Sequence, residues 1–272
     1  MGRLLGYMAN RADRLRDALH QEREAIAPPL DFKADGWGIG FYQSGEVLHK
    51  KRPQLGNDPI DWSKLAGDVR SHCIVMHVRH ATVGDFRADN THPFRMRQWL
   101  FAHNGTVPRF EALQPRLMES MPDFLRRNIR GDTDSEHIFH VILSFLHDSG
   151  QLDRQDADDR EVLHAIRSAT ALIDRYTAEV GAGRSKSTLN MLLTNGRTMY
   201  AVCRGSPMTF VEREGLHDPA TPSAALVSGP ASALRYVLVV SDGAVVPSDY
   251  RTVDEGTILV IDRDLHVSKH PL

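Results

Sequence analysis

The chain is poor in cysteine. Its 272 residues hold two, Cys73 and Cys203, far apart and each in an apolar run. That excludes a disulfide scaffold and a Cys-rich metal site, and it suits buried thiols in a reducing, cytoplasmic setting. Long hydrophobic runs are missing. None approaches the roughly 18 residues of a membrane-spanning helix, so no membrane partner is expected. Neither sign of charge prevails: 33 Lys and Arg against 35 Asp and Glu give a net charge of −2. A dedicated nucleic-acid binder is therefore not expected. There are no repeats, low-complexity segments or convincing linkers. With 41% hydrophobic and 25% charged residues, the composition predicts one folded domain over 1–272. The start lacks a signal-peptide core, because Leu4 and Leu5 soon meet the charges between Arg11 and Arg16. The opening Met1-Gly2 also lacks the Ser or Thr that N-myristoylation wants at position 6, which is Gly6. What it does have is a short apolar strand-like run, Leu4 to Ala9, that begins almost at the first residue.

Strand patterns come first along the chain. DGWGIGFY (Asp35–Tyr42) and EVLHKKR (Glu46–Arg52) flank the turn QSG and predict a hairpin. CIVMHVRHAT (Cys73–Thr82) and WLFAHNG (Trp99–Gly105) predict two more strands, the second ending in a turn. The period then changes to that of helices, over Phe110–Arg127, Ser135–His147 and Glu161–Val180. Strands return in TLNMLLTNGRTMYAVC, a hairpin with Asn195-Gly196 as a type I′ turn. Tyr236–Asp242 and Thr257–Ser268 close the chain, after a long loop over Asp218–Ser232. Strands, helices, strands in this order predict an α+β fold.

Polar residues gather where the strands end: His77, Arg79, His80 and Thr82; Asn90, Thr91, His92 and Pro93; His103, Asn104 and Gly105; Asp132, Asp134 and Glu136. Each group has an ordinary structural reading. Thr133 and Glu136 make a capping box, and HNG makes a turn. A metal site is not implied. His77 and His80 point to opposite faces of a strand, and no HExxH or paired-Cys spacing is present. GWGIG does not fit a dinucleotide fingerprint either, so no cofactor is implied. Taken together, the groups suit one task. An Arg can hold a carboxylate in a forked pair, an Asp at a helix start can hold an ammonium, and an Asn amide beside a Gly N–H can make an oxyanion hole. A free amino-acid head group needs the first two. A nucleophile is missing from the set.

MxRLLGY, DGWGIGFY, HVRHAT, NTHPF, FAHNGT and GDTDSEHIF resemble, in order and spacing, the motifs of the class II glutamine amidotransferases, a branch of the N-terminal-nucleophile hydrolases. The likeness covers roughly residues 1–147 and continues more weakly to the last strands. It is nearest to the compact stand-alone members, the YafJ-like proteins and the γ-glutamyl amidohydrolases of ergothioneine biosynthesis. It implies a four-layer αββα sandwich of two antiparallel sheets flanked by helices. It also implies a single such domain over 1–272, with glutaminase or γ-glutamyl amide hydrolase activity. In that family Met1 is removed, residue 2 is a cysteine whose thiol attacks the γ-amide, and its α-amine serves as base. Here residue 2 is Gly2. By the resemblance, Arg79 binds the substrate α-carboxylate and Asp134 its α-ammonium. Thr82 and His92 line the pocket, and Asn104 with the N–H of Gly105 forms the oxyanion hole. Ser241-Asp242-Gly243 stands where relatives tend to carry Ser-Glu-Pro.

The expected ligand is glutamine or a γ-glutamyl amide, and a synthase chain that accepts ammonia is a possible partner. Without a nucleophile the chain is expected to be inactive or nearly so. The alternative is a non-catalytic regulatory module that binds glutamine or a γ-glutamyl compound. Cys73 is a poor substitute nucleophile. It lies at the far end of its strand from Arg79 and Thr82, about 20 Å away at roughly 3.3 Å per residue.

Overall fold

The computed structural model describes residues 2–27, 35–53, 60–79, 85, 87–181, 186–216, 234–241 and 246–272. Its elements are β1 (Arg3–Ala9), α1 (Leu15–Gln21), α2 (Arg23–Ile26), β2 (Gly36–Gln43), β3 (Glu46–Arg52), α3 (Trp62–Leu65), β4 (Cys73–Arg79), β5 (Phe94–Met96), β6 (Trp99–Thr106), α4 (Phe110–Glu119), α5 (Asp123–Arg126), α6 (Asp134–Asp148), α7 (Asp159–Glu179), β7 (Thr188–Thr194), β8 (Met199–Cys203), β9 (Met208–Glu214), β10 (Arg235–Ser241), β11 (Arg251–Val253), β12 (Thr257–Ile261) and β13 (Val267–Pro271).

The chain starts in the middle of a sheet. Seven strands run in the order β11-β9-β10-β1-β4-β2-β3, and six in the order β13-β12-β8-β7-β6-β5. The strand pairs described are antiparallel. All seven residues of β1 are buried because both of its faces are covered. Leu4 and Met8 face the second sheet, together with Val75, Leu100, Ala102, Leu192 and Met199. Leu5, Tyr7 and Ala9 face the other way, onto Leu15, Leu19 and Trp62 of the first three helices. The second sheet packs its outer face on α4, α6 and α7, with Phe101 stacked on Phe139 at 5.2 Å between ring centroids. Helices, sheet, sheet, helices is the α+β four-layer arrangement that the motifs imply. The inner strands bury both faces and read as near-continuous apolar runs, while the edge strands β3 and β13 are largely exposed.

Several local expectations are corrected. The helix over Phe110–Arg127 is two helices. Pro122 begins α5 with an extended backbone, φ −60° and ψ 150°, and a proline there cannot continue α4. Thr194 pairs with Met199, so Asn195-Gly196 is not a two-residue type I′ turn. It opens a four-residue loop in which the Asn195 Oδ1 accepts from the N–H groups of Arg197 and Thr198. The two-residue turn with both φ values positive is Ser44-Gly45, at 54° and 80°, between paired Gln43 and Glu46. Thr257–Ser268 is not one strand but β12, a turn, and the start of β13. Asn104 and Gly105 are not a turn; both sit in register in β6. The long loop expected over Asp218–Ser232 lies outside the described residues.

Candidate functional site

Side chains alternate along a strand, and on β6 this divides the HNG motif between two layers. His103 points to the helices, where its Nδ1 lies 2.9 Å from the Ser135 Oγ. Asn104 points to the other sheet, where its side-chain amide donates to the Gly2 carbonyl at 2.7 Å. Gly105 follows. A Cβ there would lie 1.9 Å from the Thr188 carbonyl oxygen, so only glycine allows β7 to come this close.

Gly2 is buried and held from several sides. The next residue, Arg3, donates its guanidinium to the carbonyls of Ala25 and Ala27. Leu4 donates its N–H to the Ser241 Oγ at 3.0 Å. Arg3 pairs with Val78, and one further step of that register sets Gly2 opposite Arg79. A Cβ on Gly2 would lie 2.6 Å from the Val78 carbonyl oxygen and 2.9 Å from the His77 Nε2. Of the departure at 241–243, Ser241 therefore anchors β1. Asp242 and Gly243 lie outside the described residues.

On β4, His77 and Arg79 share the inward face. The His77 ring lies against His92 at 4.1 Å between centroids with the planes tilted by 48°, and His92 meets Phe94 edge-on at 4.7 Å. Among the described residues nothing hydrogen-bonds either ring nitrogen of His92 or the Nδ1 of His77. Burial pushes His77 down to about 3 and His92 well below the ordinary histidine range. Both are neutral rings in the wall. The segment carrying His92 lies directly on β2, since a Cβ on Gly38 would meet the His92 carbonyl oxygen at 2.0 Å. This is the physical reason for a glycine within GWGIG. Arg79 is buried, and its Nη1 donates to the Asp85 carbonyl at 3.1 Å. Burial draws its pKa down, with Asp35 and Asp85 opposing. Thr82 and His80 lie outside the described residues.

The GDTDSE segment closes the third side. Thr133 caps α6 by accepting from the Glu136 N–H, but the return half of the capping box is absent. The Glu136 carboxylate accepts instead from the N–H groups of Arg130 and Gly131, at 3.0 and 2.6 Å. Asp134 is buried, with its Oδ2 accepting from the Val107 N–H at 2.9 Å. Asn90 joins this segment to that of Arg79, accepting from the Asp132 N–H and donating to the Asp85 carbonyl. The structure thus brings Gly2, Asn104 and His77 together and sets Arg79 opposite Gly2. Asp134 sits just behind β6, and His92 covers His77.

Sequence reasoning missed Ser135 and Lys51. Ser135 was hidden inside a capping motif. The Lys51 ammonium lies 5.4 Å from the centre of the Phe94 ring, and burial draws its pKa down to about 8, against Glu136 and Asp89. Its sequence context, a run of basic residues on an edge strand, reads as an exposed face. For a metal, the described residues converge three donors at one place, Asp262, Asp264 and His266, on the β12–β13 turn away from these motifs.

The family model for class II glutamine amidotransferases matches residues 1–261. The chain is 31% identical to the putative glutamine amidotransferase YafJ of Escherichia coli over 176 residues, which cover 62% of this chain and 60% of that protein. Over 77 residues it is 40% identical to the γ-glutamyl-hercynylcysteine sulfoxide hydrolase of Mycobacterium tuberculosis, covering 28% of this chain and 33% of that one. The alignments thus span less than two thirds of these relatives. A solved glutamine aminotransferase class-II domain protein from Silicibacter pomeroyi superposes with a TM-score of 0.61 at 20% identity, over 99% of this chain and 98% of the other. That likeness extends the shared fold to the whole chain. With a family match from the first residue into β12, this chain belongs to the class II glutamine amidotransferases.

Proposed function

We propose that the chain captures L-glutamine or a γ-glutamyl amide through its amino-acid head group and, as written, hydrolyses it extremely slowly. Arg79 takes the α-carboxylate and Asp134 the α-ammonium. The amide of Asn104 and the N–H of Gly105 face the γ-carbonyl, and Thr82 and His92 line the pocket. The observation that carries this reading is the state of residue 2. Gly2 holds its place just before the central strand β1, bonded to Asn104, but it has no side chain to attack with. Covalent catalysis needs a nucleophile held beside its base, and losing it in an organised hydrolase costs on the order of 10⁶ in rate. The thiols offer no substitute. Cys73 is buried at the far end of β4, and burial pushes it up to about 12. Cys203 is buried against the carbonyls of Ser206 and Val253. Both are buried thiols rather than halves of a disulfide, which supports a reducing, cytoplasmic setting.

Calorimetry with glutamine and a series of γ-glutamyl amides tests the capture, beside an assay for released glutamate. Saturable binding with negligible release is expected. Arg79→Ala weakens binding by about 1.5–3 kcal/mol, the worth of a hydrogen bond to a charged group. Equal affinity of the two proteins for every ligand removes Arg79 from the site.

A further inference from the structure

Behind Asn104, three buried side chains from two layers form a chain of hydrogen bonds. The Asp134 Oδ1 accepts from the Ser135 Oγ at 3.2 Å. The Ser135 Oγ also lies 2.9 Å from the His103 Nδ1, and the His103 Nε2 donates to the Thr188 carbonyl at 3.0 Å. His103, Ser135 and Asp134 are all at least 95% buried. A hydroxyl carries one hydrogen. With His103 neutral, Ser135 can donate to the imidazole or to the carboxylate, but not to both. With His103 protonated, both contacts are made at once: Nδ1–H donates to Ser135, and Ser135 donates to Asp134. The second state is a charged relay ending on the carboxylate that a ligand ammonium needs.

We propose that His103 and Ser135 are positioning residues for Asp134, and that a protonated His103, acting through Ser135, competes with the ligand's α-ammonium for that carboxylate. The inference rests on the capture of an amino-acid head group at Asp134. At neutral pH the competitor is silent, because burial draws His103 below the ordinary histidine value of 6.5, with Asp134 and the Thr188 carbonyl opposing. Ser135 is then the single donor between two acceptors. An arriving ammonium satisfies the carboxylate and frees the hydroxyl for Nδ1. At acid pH the imidazolium completes the relay and its charge repels the ammonium. The other groups facing His103 are Thr188 from β7, His77 from β4 and His92 from the segment before β5. Burial draws both histidines below the ordinary range, and a charge on either would disfavour one on His103. The device selects for a free α-ammonium, since a ligand without one gains nothing from the neutral state.

The test measures glutamine affinity from pH 8 to pH 5, beside glutaramate, which lacks the amine, and beside the Ser135→Ala protein. Glutamine affinity is expected to fall as pH drops below 6.5, by at most about tenfold per pH unit for one linked proton. Glutaramate affinity stays flat, and Ser135→Ala flattens the glutamine profile. Ser135 lies in the first turn of α6, where alanine is a good helix former, and a thermal melt checks that the variant is folded. A flat glutamine profile, or an unchanged slope in Ser135→Ala, overturns the inference while leaving capture intact. An NMR titration of the His103 ring in the free protein and in Asp134→Asn needs no ligand. The coupling requires the His103 midpoint to fall when the carboxylate is neutralised. An unmoved midpoint defeats the relay even if no ligand binds, and a moved midpoint with no binding at any pH defeats the capture reading alone.

Discussion

Gly2 shows how much one residue can decide without a side chain. It immediately precedes a strand clasped on both edges, and its carbonyl is bonded to Asn104. Its missing Cβ would press on the Val78 carbonyl and the His77 ring. Gly2→Cys is therefore a test with two readouts. A Cβ at 2.6 Å from a backbone oxygen forces a shift, and overpacking of this kind costs about 1–3 kcal/mol. The variant should melt at a lower temperature than the parent. It should also release glutamate where the parent does not, because thiol, α-amine and Asn104 amide then share one corner. Gly2→Cys/Asn104→Ala is expected to lose that gain. Intact mass must first show that Met1 is gone, since a retained methionine blocks the amine. If the trimmed, folded variant releases no glutamate from any γ-glutamyl amide, the surrounding residues are not catalytic machinery. Brisk turnover by the Gly2 protein itself would instead demand another nucleophile or an activated water.

At the scale of elements, the first two helices hold the start of β1 from the outer face of the seven-stranded sheet. The α2 segment supplies the carbonyls that receive Arg3, and Glu22, just before it, keys the segment to β9 and β10. Glu22 is buried and accepts from Arg213 at 2.7 Å and from the hydroxyls of Tyr236 and Tyr250, each also at 2.7 Å. Burial alone would raise the Glu22 carboxyl, yet Arg213 and the two tyrosines hold it below its ordinary 4.5. A depressed carboxyl contributes stability that is complete above its unfolded value and is lost as pH falls through the lower folded one. Glu22→Gln should cost about 3 kcal/mol at pH 7, the low end for a broken buried pair, because Asp249 still faces Arg213. Thermal melts should show that difference narrowing as pH drops below 4.5. A constant gap down to pH 3 would mean that Glu22 acts through shape and not charge. None of this was legible in the sequence. The 15–26 stretch is too short and mixed to show a helical period, and the partners of Glu22 lie about two hundred residues away. β9 and β11 were missed for a related reason: β11 has only three residues, and pairing with a neighbouring strand, rather than a pattern of their own, fixes both. What could be read was what local chemistry dictates, namely the hairpin at Ser44-Gly45, the Thr133 cap and the inward face shared by His77 and Arg79. Asn104-Gly105 misled because a turn-forming pair is held within β6 by its register with Asn190 and Leu189 of β7.

For the molecule as a whole, the site is where its layers are tied to one another. Arg79 belongs to the seven-stranded sheet, Asn104 to the six-stranded sheet, and Asp134 to the helices outside it. The motifs could be read from sequence because each sits at the end of one element. Their convergence could not, since it depends on the order of strands across two sheets. A head group bound by all three would add contacts across two layer boundaries, so capture should stabilise the entire fold. Ligand that binds only the folded state adds about 2.7 kcal/mol at a hundredfold excess over its dissociation constant. For a chain near this size, 1 kcal/mol corresponds to about 2–4 °C in the unfolding midpoint. Glutamine, or the γ-glutamyl amide that calorimetry prefers, should therefore raise the melting temperature by about 5–10 °C at that excess. The rise should continue with the logarithm of ligand concentration. Arg79→Ala should shift only at proportionally higher concentration. A ligand that binds by calorimetry but leaves the midpoint unmoved at a hundredfold excess would be binding the unfolded chain equally well. The three-layer site would then not be its place of capture.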